Sequence, residues 1–151
     1  RDIKPANILL APDGPARLCD MGLSKSIEAN THITASGFVV GTPNTMSPEQ
    51  AQGIRDLDIR SDIYSLGATF FEVFTGELPF SHVSPIEVML LHISAPVPNP
   101  RKIRSELSKR TSKILEKMLA KQPDDRYRDP ADLLQALGGQ EWTSEPSTDP
   151  R

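Results

Sequence analysis

The sequence predicts an α+β domain that is mostly helical, with one short β-hairpin near its start. Three observations carry this expectation. Two short apolar runs flank a Pro-Asp-Gly-Pro turn between Asn7 and Asp20. One later segment, "SDIYSLGATFFEVFTG", is apolar on nearly every side. Beyond it, successive segments open on Ser or Asp-Pro pairs of the kind that start helices.

Taken in order, "NILLAPDGPARLCD" predicts strands at Ile8–Leu10 and Ala16–Cys19, because proline presets one turn dihedral and glycine permits a positive one. From Gly22 to Gly41 the chain is rich in Ser, Thr, Ala and Gly with weak periodicity, which predicts a long functional loop. "SPEQAQG" predicts a short helix with Ser47 as N-cap, Pro48 at its first position and Glu49 near the positive end of the dipole. Asp62 then opens the apolar helix, and Ile63, Tyr64, Leu66, Ala68, Phe70, Phe71, Val73 and Phe74 leave it little polar face. Such a helix is expected to be central and buried, with Gly76 as its stop.

Ser84 and Glu87 have capping-box spacing at the head of "SPIEVMLLHIS". "APVPNP" reads as extended. "SELSKRTSKILEKMLAK" is amphipathic through Leu107, Ile114, Leu115, Met118 and Leu119, and Pro123 ends it. Asp129 and Pro130 start a last helix. From Gly139 the composition is that of a flexible linker, which divides the chain into a domain at 1–138 and a tail at 139–151.

The 151 residues suffice for one domain with a core, and 37% hydrophobic with 25% charged residues is globular composition. Net charge is -3 and no lysine/arginine-rich block stands out, so nucleic acid is not an expected partner. With Cys19 as the single cysteine, no internal disulfide can form. A reducing, cytoplasmic setting is expected, and no apolar run is long enough to span a bilayer. A membrane anchor of a parent protein would have to lie outside this chain. Cys19 reads as a small buried apolar residue rather than a reactive thiol. His32, His82 and His92 lack metal-ligand spacing.

The chemistry-bearing residues come as an ordered set. "RDIKPAN" has the pattern R-D-x-x-x-x-N, and "DMG" follows with Asp20 thirteen residues after Asn7. Then come "GTPNTMSPEQ", "DIRSDIYSLGATFFEVFTGELPF" and "PDDRY". This set resembles the C-terminal lobe of a protein kinase over residues 1 to 138, and "MSPEQA" resembles the bacterial serine/threonine type.

The resemblance implies ATP-dependent phosphoryl transfer to Ser or Thr hydroxyls of protein substrates. Such transfer needs a carboxylate at the attacking hydroxyl and hard oxygen ligands for Mg²⁺ on the phosphates. It implies that Asp2 accepts the hydroxyl proton, that Lys4 stabilises charge on the transferred group, and that Asn7 and Asp20 hold magnesium. Lys4 and Thr42 point to Ser/Thr rather than Tyr acceptors, with Thr42 tying the substrate loop to Asp2 and Lys4. Glu49 and Arg126, 77 positions apart, are expected to pair under that loop. Asp62 is expected to hold backbone N–H groups of the catalytic loop. Thr34 and Ser36 stand where activating phosphates are carried, and Arg1 would pair with such a phosphate.

Two residues depart from the pattern. Met21 stands for the usual phenylalanine, and Thr45 for a tyrosine near the substrate loop. No glycine-rich phosphate loop or ATP-anchoring strand lysine occurs, so the chain reads as a lobe fragment lacking the N-terminal lobe and expected to be inactive in isolation. Two readings compete with the kinase. One is a non-catalytic, kinase-like protein-binding module. The other is an unrelated hydrolase using Asp2 and Asp20 as paired carboxylates.

Overall fold

A computed structural model describes residues 3–11, 14–19 and 43–138. A 3-10 turn at Pro5–Asn7 leads into β1 (Ile8–Leu9), which pairs antiparallel with β2 (Arg17–Leu18) in the register Ile8 to Leu18 and Leu9 to Arg17. The strands are shorter than expected but sit where the turn chemistry placed them. Among the described residues six α-helices follow: α1 (Pro48–Ala51), α2 (Ile59–Thr75), α3 (Pro85–Ser94), α4 (Pro100–Ile103), α5 (Lys109–Met118) and α6 (Pro130–Leu137). The architecture is therefore mostly helical with one small hairpin.

Local chain chemistry sets most helix ends. The Ser47 hydroxyl accepts from the Gln50 N–H at 3.3 Å, and the Gln50 side-chain oxygen accepts from the Ser47 N–H at 2.9 Å. This is a capping box, made by Gln50 and not by Glu49. Gly76 ends α2 in the left-handed region at φ 79, the stop expected there. Ser108 caps α5 by accepting from the Thr111 N–H at 3.0 Å, and Asp129 caps α6 by accepting from the Asp132 N–H at 2.8 Å.

Four expectations are corrected. The helix α2 starts at Ile59, not at Asp62, because Asp58 supplies the N-cap through a 2.8 Å bond from the Arg60 N–H. Its surface is not buried all round: Val73 is 59% exposed and Phe74 37%. The Ser84–Glu87 capping box does not form, because His82 Nδ1 accepts from the Ser84 N–H at 3.1 Å, the group a box would use. "APVPNP" is not extended throughout: Asn99 accepts from the Arg101 N–H at 2.8 Å and Pro100 opens α4.

The central element is α2, which divides the core in two. On one side Ile63 packs with Met118, Tyr127 and Leu133, flanked by Leu66, Phe70 and Ile114. On the other, Tyr64, Ala68 and Phe71 pack with Leu119 and Val97. Each large apolar side chain so buried contributes roughly 1.5–3 kcal/mol. Ser61, Ser65 and Thr69 are also buried. Two of them are satisfied within the helix, since Ser65 Oγ donates to the Ser61 carbonyl and Thr69 Oγ1 to the Ser65 carbonyl.

The crossing of α2 and α5 is close at Gly67, where an added Cβ would lie 2.7 Å from Met118 Cβ. Alanine is favoured over glycine by about 1 kcal/mol in a helix interior, but overpacking of a tight core costs about 1–3 kcal/mol. Gly67→Ala is therefore expected to lower stability. Thermal melting checks this, and an unchanged or raised midpoint would show that the crossing relaxes.

Candidate functional site

Two described segments carry the residues singled out from sequence. The first is the Lys4–Asn7 turn. Lys4 is extended (φ -155, ψ 160) and half-buried, and the Asn7 N–H donates to its carbonyl at 3.0 Å. Pro5 starts the turn at a position where a missing N–H costs nothing. Asn7 is buried at 6% exposure. Its carbonyl accepts from the Cys19 N–H at 2.9 Å and from the Cys19 thiol at 3.2 Å. The hairpin thus fastens Asn7 to the residue before Asp20. Cys19 is half-exposed, not buried as its apolar reading suggested. Arg1, Asp2, Asp20, Met21, Thr34, Ser36 and Thr42 lie outside the described residues, as does the tail from Gly139.

The second segment runs from Pro43 to Ala51. A 3-10 turn at Pro43–Thr45 packs on both α2 and α3, and α1 packs on α3. Thr45, Ser47, Pro48 and Glu49 are all buried. Under this segment Glu49 meets Arg126. The guanidinium donates to both carboxylate oxygens, Nη1 to Oε1 at 2.6 Å and Nη2 to Oε2 at 2.8 Å. Its remaining donors reach three carbonyls: Nε to Ala120 at 2.7 Å, Nη1 to Arg60 at 2.9 Å and Nη2 to Lys121 at 2.9 Å.

All five guanidinium donors are thereby used, and the group also stacks on Tyr64 with its carbon 4.9 Å from the ring centre. Ser61 Oγ donates to Glu49 Oε1 at 2.7 Å. Burial pushes the Glu49 carboxyl up, but the bonds from Arg126 and Ser61 outweigh it and hold the group below the ordinary carboxylate range. Asp62, in the first turn of α2, directly follows Arg60 and Ser61, which both belong to this network.

Above the segment, α3 is locked by a buried histidine. His92 is fully buried, and its Nδ1 lies 2.8 Å from the Tyr64 hydroxyl. Its ring meets Phe80 edge-on at 5.0 Å. Lys121 donates to the Leu91 and His92 carbonyls at the C-terminal end of α3, and sits 4.1 Å from the Phe80 ring centre. Burial holds this lysine down at about 8, with the Arg126 charge acting in the same direction. Sequence reasoning missed Ser61, Tyr64, His92 and Lys121. Nothing within a few residues of any of them signals a partner 12 to 29 positions away.

Burial depresses the His92 pKa to about 4, helped by the Lys121 charge and opposed by the Asn44 backbone. The unfolded chain would bind this proton near pH 6.5. Between those values the unfolded state holds more protons, so stability is complete above about pH 6.5 and falls as pH drops towards 4. The loss is about 3 kcal/mol. Urea unfolding at pH 7 and pH 4.5 measures it, and His92→Gln should flatten the profile. A wild-type profile already flat over that window would refute the assignment.

The protein kinase domain family matches this chain over residues 1–137. The chain belongs to the protein kinase family. It is 38% identical over 145 residues to the serine/threonine-protein kinase PknB of Mycobacterium leprae (strain TN), covering 93% of this chain and 23% of that protein. It is 42% identical over 144 residues to PknF of Mycobacterium tuberculosis (strain ATCC 25618 / H37Rv), covering 91% of this chain and 29% of that one. PknB of Mycolicibacterium smegmatis is 37% identical over 135 residues. The chain thus spans less than a third of the length of these kinase relatives. Among the described residues no helix is long and apolar enough to cross a membrane.

Proposed function

We propose that the protein carrying this kinase chain transfers the γ-phosphoryl group of ATP to Ser or Thr hydroxyls of protein substrates. The observation that carries the reading is the ordered presence of Asp2, Lys4, Asn7, Asp20 and Thr42 within a family match covering residues 1–137. Asp2 orients the acceptor hydroxyl and takes its proton as the oxygen attacks the γ-phosphorus, and ADP leaves. Lys4 lies against the transferred group, and Thr42 steadies the acceptor's loop.

The donor set suits magnesium: the Asn7 amide oxygen and the Asp20 carboxylate are hard oxygen ligands, and Cys19 of the hairpin holds the Asn7 carbonyl through both its N–H and its thiol. Magnesium, when bound, neutralises phosphate charge. The Glu49–Arg126 pair serves as the floor of the substrate segment and, through Arg60 and Ser61, steadies Asp62 against the catalytic loop. Phosphate on Thr34 or Ser36 would be read by Arg1. A cytoplasmic setting fits the need for ATP.

The test is phosphoamino-acid analysis. The longer protein, given ATP, Mg²⁺ and a mixed peptide pool, should yield phosphoserine and phosphothreonine. Phosphotyrosine alone, or no transfer, would overturn the reading.

A further inference from the structure

The Pro43–Thr45 turn packs on both α2 and α3. One buried polar side chain meets all three elements. His92 belongs to α3, and its Nδ1 lies 2.8 Å from the hydroxyl of Tyr64 on α2. The backbone of Asn44, in the turn, acts on the same ring and favours its protonated form.

The placement of the ring hydrogen follows from these contacts. Burial pushes the Tyr64 hydroxyl well above the ordinary phenol range, so it keeps its proton. The imidazole is neutral at pH 7, held down by its own burial. A phenol that donates to Nδ1 leaves the ring hydrogen on Nε2. An acceptor is what favours a protonated ring, so the Asn44 backbone offers its carbonyl to that hydrogen. Nε2 is nevertheless buried with no partner at hydrogen-bond distance among the described residues. A buried donor left in this state forfeits its hydration without compensation.

We propose that His92 is a positioning residue for the acceptor: its Nε2–H closes on the Asn44 carbonyl when a Ser/Thr segment docks, fixing the Pro43–Ala51 segment against α3. The inference rests on the Ser/Thr-transfer reading above. His92 itself touches neither acceptor nor nucleotide and acts through the turn. Its ring is held from several sides. It meets Tyr64 edge-on at 5.6 Å and Phe80 at 5.0 Å, while Lys121 donates to the His92 carbonyl at 2.8 Å. The imidazole is thus fixed, and the turn is the part that shifts to complete the bond. Apparent affinity for an acceptor scales with the fraction of molecules in the competent arrangement, so the bond acts on acceptor binding and not on the chemical step.

Steady-state kinetics of the longer protein with a Ser/Thr peptide, ATP and Mg²⁺ test this. His92→Asn keeps an acceptor near the Nδ1 position but loses the Nε2 donor. It should raise the peptide KM about three- to tenfold, the scale of one hydrogen bond, with the ATP KM and kcat unchanged. His92→Gln carries an amide N–H out to the Nε2 position and should bring the peptide KM back towards the unaltered value. Should the asparagine variant not fold, Tyr64→Phe takes its place. It keeps the ring beside Arg126, removes only the hydroxyl that sets the tautomer, and should raise the peptide KM in the same sense. Nitrogen-15 spectra of the longer protein read the tautomer directly and should show the hydrogen on Nε2. A hydrogen on Nδ1 would overturn the proposal, whatever the kinetics. Equal losses in the asparagine and glutamine variants would assign His92 to packing alone and overturn it too. Transfer with an unchanged peptide KM in the folded variants would sink this proposal while leaving the transfer reading intact. No transfer by the unaltered protein would sink both.

Discussion

Arg126→Met is expected to cost about 3–5 kcal/mol, because it strands a buried carboxylate. Glu49 is 8% exposed, and both its oxygens accept from the lost guanidinium. Ser61 Oγ would remain as a side-chain donor among the described residues. Three backbone carbonyls, of Arg60, Ala120 and Lys121, would lose a partner as well. Replacing Glu49 in the same chain removes the stranded charge but leaves those carbonyls, so Glu49→Met/Arg126→Met should recover only part of the loss. Arg126→Lys should fall between, since an ammonium has three donors and no fork to match a carboxylate and three carbonyls at once. Urea unfolding of the three variants orders them. A single-variant cost under about 1 kcal/mol, the range of an exposed pair, would show that the bridge does not hold the Pro43–Ala51 segment.

Asp2→Asn in the longer protein is expected to lower phosphoryl transfer by about 10²–10⁴-fold, the usual contribution of general base catalysis. Nucleotide affinity should hold, because an amide keeps the shape of the carboxylate and Asp2 is assigned no phosphate or metal contact. Asp20→Asn should act differently, weakening Mg²⁺-dependent nucleotide binding because a charged oxygen ligand is lost. Single-turnover rates and magnesium-dependent nucleotide titrations separate the two. Near-normal transfer in both variants would refute the roles, and identical defects would refute their division.

Signals that act within a turn of the chain were legible. Ser47 with Pro48, Asp129 with Pro130, and Gly76 mark helix ends in the sequence and sit at helix ends in the structure. Where local reading failed, a competing local group had won. His82 took the Ser84 N–H that Glu87 was expected to satisfy. Asp58 capped α2 a turn before Asp62. Asn99 made a helix start from prolines that had read as extended. The apolar reading of α2 overreached at Val73 and Phe74, because periodicity reports which residues could be buried, not what arrives to bury them.

By itself the sequence determined the order and identity of the chemical groups, from Asp2 through Asp20 to Arg126, and with them the kinase family. Those properties depend on linear spacing and on contacts a few residues long. Only the tertiary structure decided which polar side chains are buried and what satisfies them. It placed Arg126 so that five donors meet groups from three parts of the chain, set His92 against Tyr64, and brought Gly67 onto Met118. The reason is physical. A buried polar group must find every partner at hydrogen-bond distance or forfeit its hydration, and those partners come together only when distant segments pack.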